Sequence, residues 1–277
     1  MGTTVHDHGA VSGPRFEFGS NWKRFLAGLT QDQIAEAGES LRCGLGMQSL
    51  GGQSFLDVGS GSGLFSLAAV WLGATVRSFD YDPESVRCTA TLKRRYGVDD
   101  STWRVDQGSV LDRSYVASLG TFDVVYSWGV LHHTGAMWEA LENVLIPVAP
   151  HGTLFIAIYN DQGRASQMWL RIKRLYNSLP AALRFLVIGP VMVRLWGPKL
   201  ILGALRGTPL RAWREYGADA RGMSPWRDVI DWVGGYPFEV AKPEEVFAFC
   251  HRRGFTLEKL KTHAGHIGCN EYVFRRM

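Results

Sequence analysis

Phe55-Leu56-Asp57-Val58-Gly59-Ser60-Gly61-Ser62-Gly63 decides how this chain is read. A short apolar run ends in three glycines at alternate positions, and an apolar helical pattern follows from Leu64. Glycines in that place let the backbone turn sharply and come close to a ligand at a helix N-terminus. A dinucleotide fingerprint, GxGxxG, needs glycine at position 64, which is Leu64 here. Asp57 stands two residues before the first glycine. A carboxylate there repels a pyrophosphate and suits a ligand carrying an ammonium group. The turn therefore reads as the seat of an amino-acid-bearing nucleoside.

Outward from this turn, strands and helices alternate. Strands are expected at Ser54–Val58, Thr75–Phe79, Trp103–Val105, Phe122–Tyr126 and Thr153–Ile158, with helices at Leu64–Leu72, Pro83–Tyr96 and Met137–Val148. That rhythm implies βαβ units and a parallel sheet. Upstream, Asn21–Leu29 and Gln31–Leu50 have helical spacing. Residues 161–240 break the pattern and read as several short helices. Within them Phe185–Val193 is apolar, but Pro190 interrupts it, and it is far shorter than the roughly 20 residues of a membrane span. From Lys242 the rhythm resumes with a helix over Pro243–Arg252 and strands at Phe255–Lys261 and Glu271–Arg275. Their short connection makes the last strand antiparallel.

Composition limits the possible function classes. The chain has 277 residues, 46% of them hydrophobic, and fourteen Phe, ten Trp and nine Tyr exclude a disordered chain. The four cysteines, Cys43, Cys88, Cys250 and Cys269, are too far apart for CxxC pairs and suggest a reducing compartment. The opening MGTTVHDHGAVSGPRF lacks a signal-peptide pattern, so a cytoplasmic location is expected. Charge is uneven. Arg164 to Arg227 holds twelve Lys/Arg against Glu215 and Asp219, a net +10, while the remainder is −6. Such asymmetry marks either a solvated face or contact with an anionic partner.

The second strand ends in Phe79-Asp80-Tyr81-Asp82-Pro83, with Asp80 twenty-three residues after Asp57. A strand-end acid there can accept hydrogen bonds from both ribose hydroxyls. With these residues the sequence resembles the class I S-adenosylmethionine-dependent methyltransferases, in their small-molecule (type 11/12-like) branch. LDVGSGSG is similar to the glycine motif, FDYDPESV to the ribose motif, DQGSVLD to the adenine loop, FDVVYSWGVLHHTG to the strand-four motif and GTLFIAIYN to strand five. The resemblance covers about residues 50–160 and 242–277. It implies an α/β, Rossmann-like sheet of seven strands, the last antiparallel, with a helical lid inserted after strand five. Residues 1–50 would cover the cofactor site, 51–160 and 241–277 would form the core, and 161–240 would form the lid that binds the acceptor.

The resemblance also implies roles for single residues. Asp57, Gly59, Ser60, Gly61 and Gly63 would cradle the methionine portion of S-adenosyl-L-methionine. Asp80 and Tyr81 would meet the ribose, Ser109 and Val110 the adenine, and Trp128 would lie under the cofactor. The family often has an acid at the position of Ser109, and Asp106 and Asp112 are the candidates to compensate. Asp82 reads as the cap of the helix that begins at Pro83. The aromatic leader Arg15–Trp22 is a candidate cover for the cofactor.

Methyl transfer needs a base only when the acceptor must lose a proton. Candidates near the carboxyl edge of the sheet are His132, His133, Tyr159, Asp161 and His266. His133, Tyr159 and His266 are taken as the catalytic set, with His133 as base; no metal site is assigned, although His263, His266 and Cys269 share three-residue spacings. The aromatic, arginine-rich 161–240 segment suits a small hydrophobic or aromatic acceptor with an acidic group. Rival readings are an RNA (tRNA) methyltransferase using the basic segment, a membrane-interfacial lipid methyltransferase, and a non-catalytic S-adenosylmethionine-binding protein. Oligomeric state is left open.

Overall fold

The computed structural model describes residues 19–208, 225–263 and 268–277. Among them, residues 19–162 and 239–277 form one compact unit, and those between Gly163 and Phe238 form another. Seven strands make one sheet: β1 (Ser54–Val58), β2 (Thr75–Asp80), β3 (Trp103–Gln107), β4 (Phe122–Trp128), β5 (Val148–Tyr159), β6 (Phe255–Lys261) and β7 (Cys269–Arg276). Their spatial order is β3-β2-β1-β4-β5-β7-β6, and β7 alone runs opposite to the other six. The helices are α1 (Gly19–Ala27), α2 (Gln31–Leu45), α3 (Leu64–Trp71), α4 (Pro83–Arg95), α5 (Arg113–Ser118), α6 (Met137–Leu145), α7 (Arg164–Ser178), α8 (Phe185–Leu205), α9 (Pro225–Gly234) and α10 (Pro243–His251).

Side chains alternate between the two faces of a strand, so the sheet carries a core on each side. Leu56, Val58, Val125 and Ile156 pack with Leu141 and Val144 of α6 and Val246 of α10. Phe55, Tyr126, Phe155 and Val273 pack on the other face with Leu41 of α2 and Leu67 of α3. Asp57 shares its parity with Phe55 and so faces α3. The strand order reverses between β1 and β4, which opens a crevice beyond their carboxyl ends.

Two boundaries differ from the sequence reading by five residues, and the other shifts are smaller. Helix α2 stops at Leu45 instead of Leu50, because Gly46 takes a left-handed φ of 68° and closes the last turn. Strand β5 begins at Val148, five residues before the expected Thr153. Pro150-His151-Gly152 reads locally as a turn, but a register shift between Phe122/Val148 and Val124/Thr153 absorbs it within the strand.

The second unit corrects a further expectation. Instead of several short helices, α8 is continuous for 21 residues, with Pro190 and Pro198 inside it. Each proline removes a backbone hydrogen bond, at a cost of about 3 kcal/mol in a helix interior. Burial of Val187, Ile188, Val191 and Trp196 opposes that cost.

Lys173 of α7 is fully buried. Its Nζ donates to the Trp232 carbonyl and lies 4.2 Å from the Trp232 ring centroid and 4.7 Å from that of Phe238. Burial holds the amine down at about 7. The unfolded chain therefore keeps this proton more tightly, and the fold loses stability as pH falls from about 10 towards 7. Lys173→Met cannot take up the proton. Its stability relative to wild type, measured by denaturant unfolding, is expected to improve steadily across that window. A difference independent of pH would mean that the amine stays charged in the fold.

Candidate active site

The turn after β1 is built on three glycines with positive φ: Gly59 (80°), Gly61 (55°) and Gly63 (82°). The Gly59 and Ser60 N–H groups both donate to the Phe79 carbonyl, tying the turn to β2. Ser60 Oγ and Thr89 Oγ1 lie 3.0 Å apart, and Thr89 Oγ1 donates to the Gly61 carbonyl. Helix α4 therefore fixes the turn from one side. From the other, a Cβ on Gly59 would stand 2.4 Å from Val130 Cγ1, and one on Gly61 would stand 3.0 Å from the Trp22 indole. Trp22 of α1 thus lies directly against the glycine turn. Asp82 fastens that helix, accepting from Gly19 N–H as well as from Glu84 N–H at the start of α4. The expected capping role of Asp82 holds, with a second contact added.

Two acids flank the turn, Asp57 buried and Asp80 half-buried. Asp57, 3% exposed, accepts from Ser66 Oγ of α3 at 2.5 Å. Asp80 accepts from the Gly61 N–H through one oxygen and from the Asp82 N–H through the other, both at 2.9 Å. Burial raises the Asp57 carboxyl to about 7; the Ser66 hydrogen bond opposes this and the Asp80 charge adds to it. Burial likewise raises Asp80 to about 6, against the Gly61 and Asp82 hydrogen bonds. Neither carboxylate makes an ion pair among the described residues. Two acids desolvated side by side without a cation favour a positively charged ligand.

Beyond β4 the chain turns at Gly129 and enters a 3₁₀ turn, Leu131–His133. His132 is fully buried, with its Nδ1 accepting the Tyr159 N–H at 3.3 Å and its ring centroid 3.8 Å from that of Tyr159. An imidazole nitrogen that accepts a backbone N–H carries no proton, so Nδ1 of His132 is occupied in holding the Tyr159 backbone. His133 is half-buried, with its ring edge-on to Tyr159 at 5.3 Å. Glu239 clamps this loop from far along the chain. Its N–H donates to the His132 carbonyl, and its carboxylate accepts the Met137 N–H at the start of α6. Burial raises the Glu239 carboxyl, while the Met137 and Gly135 N–H groups pull it down.

This arrangement places a glycine turn, two acids and a histidine–tyrosine cluster along one sheet edge. Residues 56–154 match a family model described as a methyltransferase domain. This stretch is a methyltransferase domain. Curated relatives include a ubiquinone biosynthesis O-methyltransferase from Methylobacterium sp. (strain 4-46), 30% identical over 121 residues that make up 44% of this chain and 47% of the relative. Another of the same name, from Caulobacter vibrioides, is 28% identical over 39% of this chain and 42% of its own. The chain thus spans less than half the length of these relatives. Among solved structures, magnesium protoporphyrin IX methyltransferase from Synechocystis PCC 6803 with bound SAH aligns over 94% of both chains, with a TM-score of 0.55 and 12% identity. An N-methyltransferase from Bradyrhizobium japonicum WM9 aligns over 94% of this chain and 98% of its own, with a TM-score of 0.50 and 14% identity. These two likenesses are of fold.

The other expected residues of the methyltransferase domain are more scattered. Ser109 Oγ accepts from Leu111 N–H in its own turn, and Val110 is buried with its carbonyl accepting from Asn143 Nδ2. Tyr81 is 53% exposed. The Trp128 indole N–H points to Glu271 Oε1 at 3.4 Å, across β5. His266, the leader Arg15–Phe18, His6 and His8 lie outside the described residues.

Four contacts were not legible in the sequence reading. In the sequence Trp22 is only part of an aromatic leader, and Thr89, Val130 and Glu239 carry no signal. Glu239 lies 102 residues from its partner Met137, beyond the reach of any motif. Asn160 and Asn270 form a similar long-range pair at 3.0 Å, with Asn270 also accepting from His263 N–H.

Proposed function

We propose that this chain is an S-adenosylmethionine-dependent methyltransferase acting on a small, apolar or aromatic acceptor that carries a hydroxyl group. The Asp57–Asp80 pair around the glycine turn, the first buried and the second half-buried, carries the reading. S-adenosylmethionine offers an ammonium, a sulfonium and two ribose hydroxyls, which match two acids lacking a cation. Asp57 would sit towards the amino-acid end and Asp80 towards the ribose, with Gly59, Gly61 and Gly63 allowing close backbone approach. Trp22 would cover the cofactor from the N-terminal side. When bound, the cofactor supplies an electrophilic methyl group that passes in line to an acceptor lone pair.

The hydroxyl acceptor is supported by the relatives named as O-methyltransferases. Such an acceptor must lose a proton. In this reading His133 takes it, Tyr159 orients the His133 ring, and His132 anchors the turn beneath both. His266 is kept as a second catalytic candidate. The residues between Gly163 and Phe238 are assigned acceptor recognition on composition, being rich in Trp, Tyr and Arg. A cytoplasmic location belongs to the same proposal.

Calorimetric titration with S-adenosylmethionine and S-adenosylhomocysteine, followed by a methyl-transfer screen of hydroxylated aromatic acceptors, tests the function. Micromolar binding with turnover on such an acceptor is expected; absence of binding to either compound would remove the reading. With an acceptor in hand, His133→Ala should lower kcat about 100-fold while cofactor affinity stays within a few-fold. Wild-type kcat in that variant would reject the base.

The acids also set a pH dependence. A cationic ligand binds the ionised carboxylates, so at pH values below about 7 the Asp57 proton must leave first. Affinity for S-adenosylmethionine should therefore fall about tenfold per pH unit below that point, and more steeply below about 6 as Asp80 protonates. Conversely, the raised carboxyls stabilise the ligand-free fold most at low pH, and that contribution is lost as pH rises through 7. Titrations at pH 5.5 and 8 in buffers of different ionisation heat check both the affinity change and the proton release. Equal affinity at the two values would remove the acid pair from cofactor binding.

A further inference from the structure

Between Gly163 and Thr208 the chain carries eight Arg or Lys and not one Asp or Glu. Lys173 is buried, while the rest include Arg174 in α7, Arg184 at the start of α8, Arg194 and Lys199 within it and Arg206 at its end. The same segment bears an apolar surface. Phe185 (62%), Leu186, Val193 (71%), Ile201, Leu202 and Leu205 (81%) of α8 are exposed. The helical stretch Ala181–Leu205 is long and apolar enough to cross a membrane, yet little of it is buried. A water-facing helix normally carries mostly polar residues on its outer side, and α8 exposes mostly apolar ones beside Arg194 and Lys199.

Apolar side chains flanked by cations, with no acid among them, complement one surface in particular: an anionic lipid bilayer. Its acyl boundary takes Phe185, Val193 and Leu205, and its phosphates take the arginines and lysines. An RNA partner would use the cations but leave the aliphatic face in water. A transmembrane path would draw Arg194 and Lys199 into hydrocarbon. We propose that α8 docks this chain on an anionic lipid surface, lying in the headgroup region without crossing the bilayer. The proposal goes beyond the methyl-transfer reading, and lipid binding is measured without turnover, so either can fail alone.

Flotation of the full chain with vesicles of phosphatidylcholine alone, or mixed with phosphatidylglycerol, tests it. At low salt the mixed vesicles should retain about tenfold more protein or better, and salt should reduce this difference. Phe185→Trp should show a blue-shifted emission on the mixed vesicles alone. Val193→Ser with Leu205→Ser should lose most of the binding while keeping the wild-type unfolding midpoint. Arg194→Glu with Lys199→Glu should lose it too, a second route should the serine variant not fold. Four results overturn the proposal. They are no flotation of wild type, equal retention on neutral vesicles, resistance to an alkaline carbonate wash (a crossing helix), and retention on homopolymer RNA or concentration-dependent self-association in place of flotation.

Discussion

Asp80→Ala is expected to weaken S-adenosylmethionine binding about 100- to 1,000-fold in a calorimetric titration. The carboxylate sits at the carboxyl end of β2 with each oxygen accepting one backbone N–H, from Gly61 and from Asp82. A carboxylate oxygen has room for a second hydrogen bond, and two ribose hydroxyls would fill both places. Hydrogen bonds to a charged acceptor contribute about 1.5–3 kcal/mol each, and two such bonds near the lower end give the stated loss. Alanine also releases the Gly61 N–H and so loosens the turn. Asp80→Asn separates the two effects, because it keeps the shape and one acceptor oxygen while discarding the charge. An intermediate loss is expected for Asn, with the unfolding midpoint near wild type. Full affinity in Asp80→Ala would remove the ribose assignment.

The second large effect is steric. Gly59→Ala should abolish measurable cofactor binding and destabilise the domain by roughly 2–4 kcal/mol. Gly59 has a φ of 80°, a conformation that costs an L-residue about 1–2 kcal/mol. Its new Cβ would also lie 2.4 and 2.5 Å from the two Cγ atoms of Val130, so the chain after β4 must move. That chain leads directly to His132 and His133. Val130→Ala removes both Cγ atoms and should restore part of the stability of the Gly59→Ala variant, though not the backbone strain. A double variant no more stable than Gly59→Ala would show that the turn, not the contact with Val130, sets the requirement for glycine. Denaturant midpoints of the four proteins in that cycle give the answer.

The local geometry of the candidate site was legible because its parts are close in sequence. Asp57, Gly59, Gly61, Gly63 and Asp80 follow strand ends at fixed spacings, and a strand end is readable from a few apolar residues. The choice between His132 and His133 was not. Adjacent residues in a 3₁₀ turn point in different directions, and burial of His132 follows from the packing of β5 and Glu239 around it. The expected break at Pro190 failed for a related reason. A proline is a local penalty, while the burial of Val187, Ile188 and Val191 that opposes it comes from elsewhere in the chain. Lys173 likewise gave no signal, since a lysine on a helix reads as surface until its aromatic neighbours are in place.

The sequence by itself determined the alternation of strands and helices, the glycine turn and the antiparallel end of the sheet. Each of these follows from residue periodicity or from a turn a few residues long. Only the tertiary structure decided that Trp22 rests on Gly61, that Glu239 holds the histidine turn, and that α8 runs unbroken with an apolar outer face. Those contacts join residues tens to hundreds of positions apart. Their energy comes from burial and from satisfied hydrogen bonds, and neither exists until the whole chain has packed.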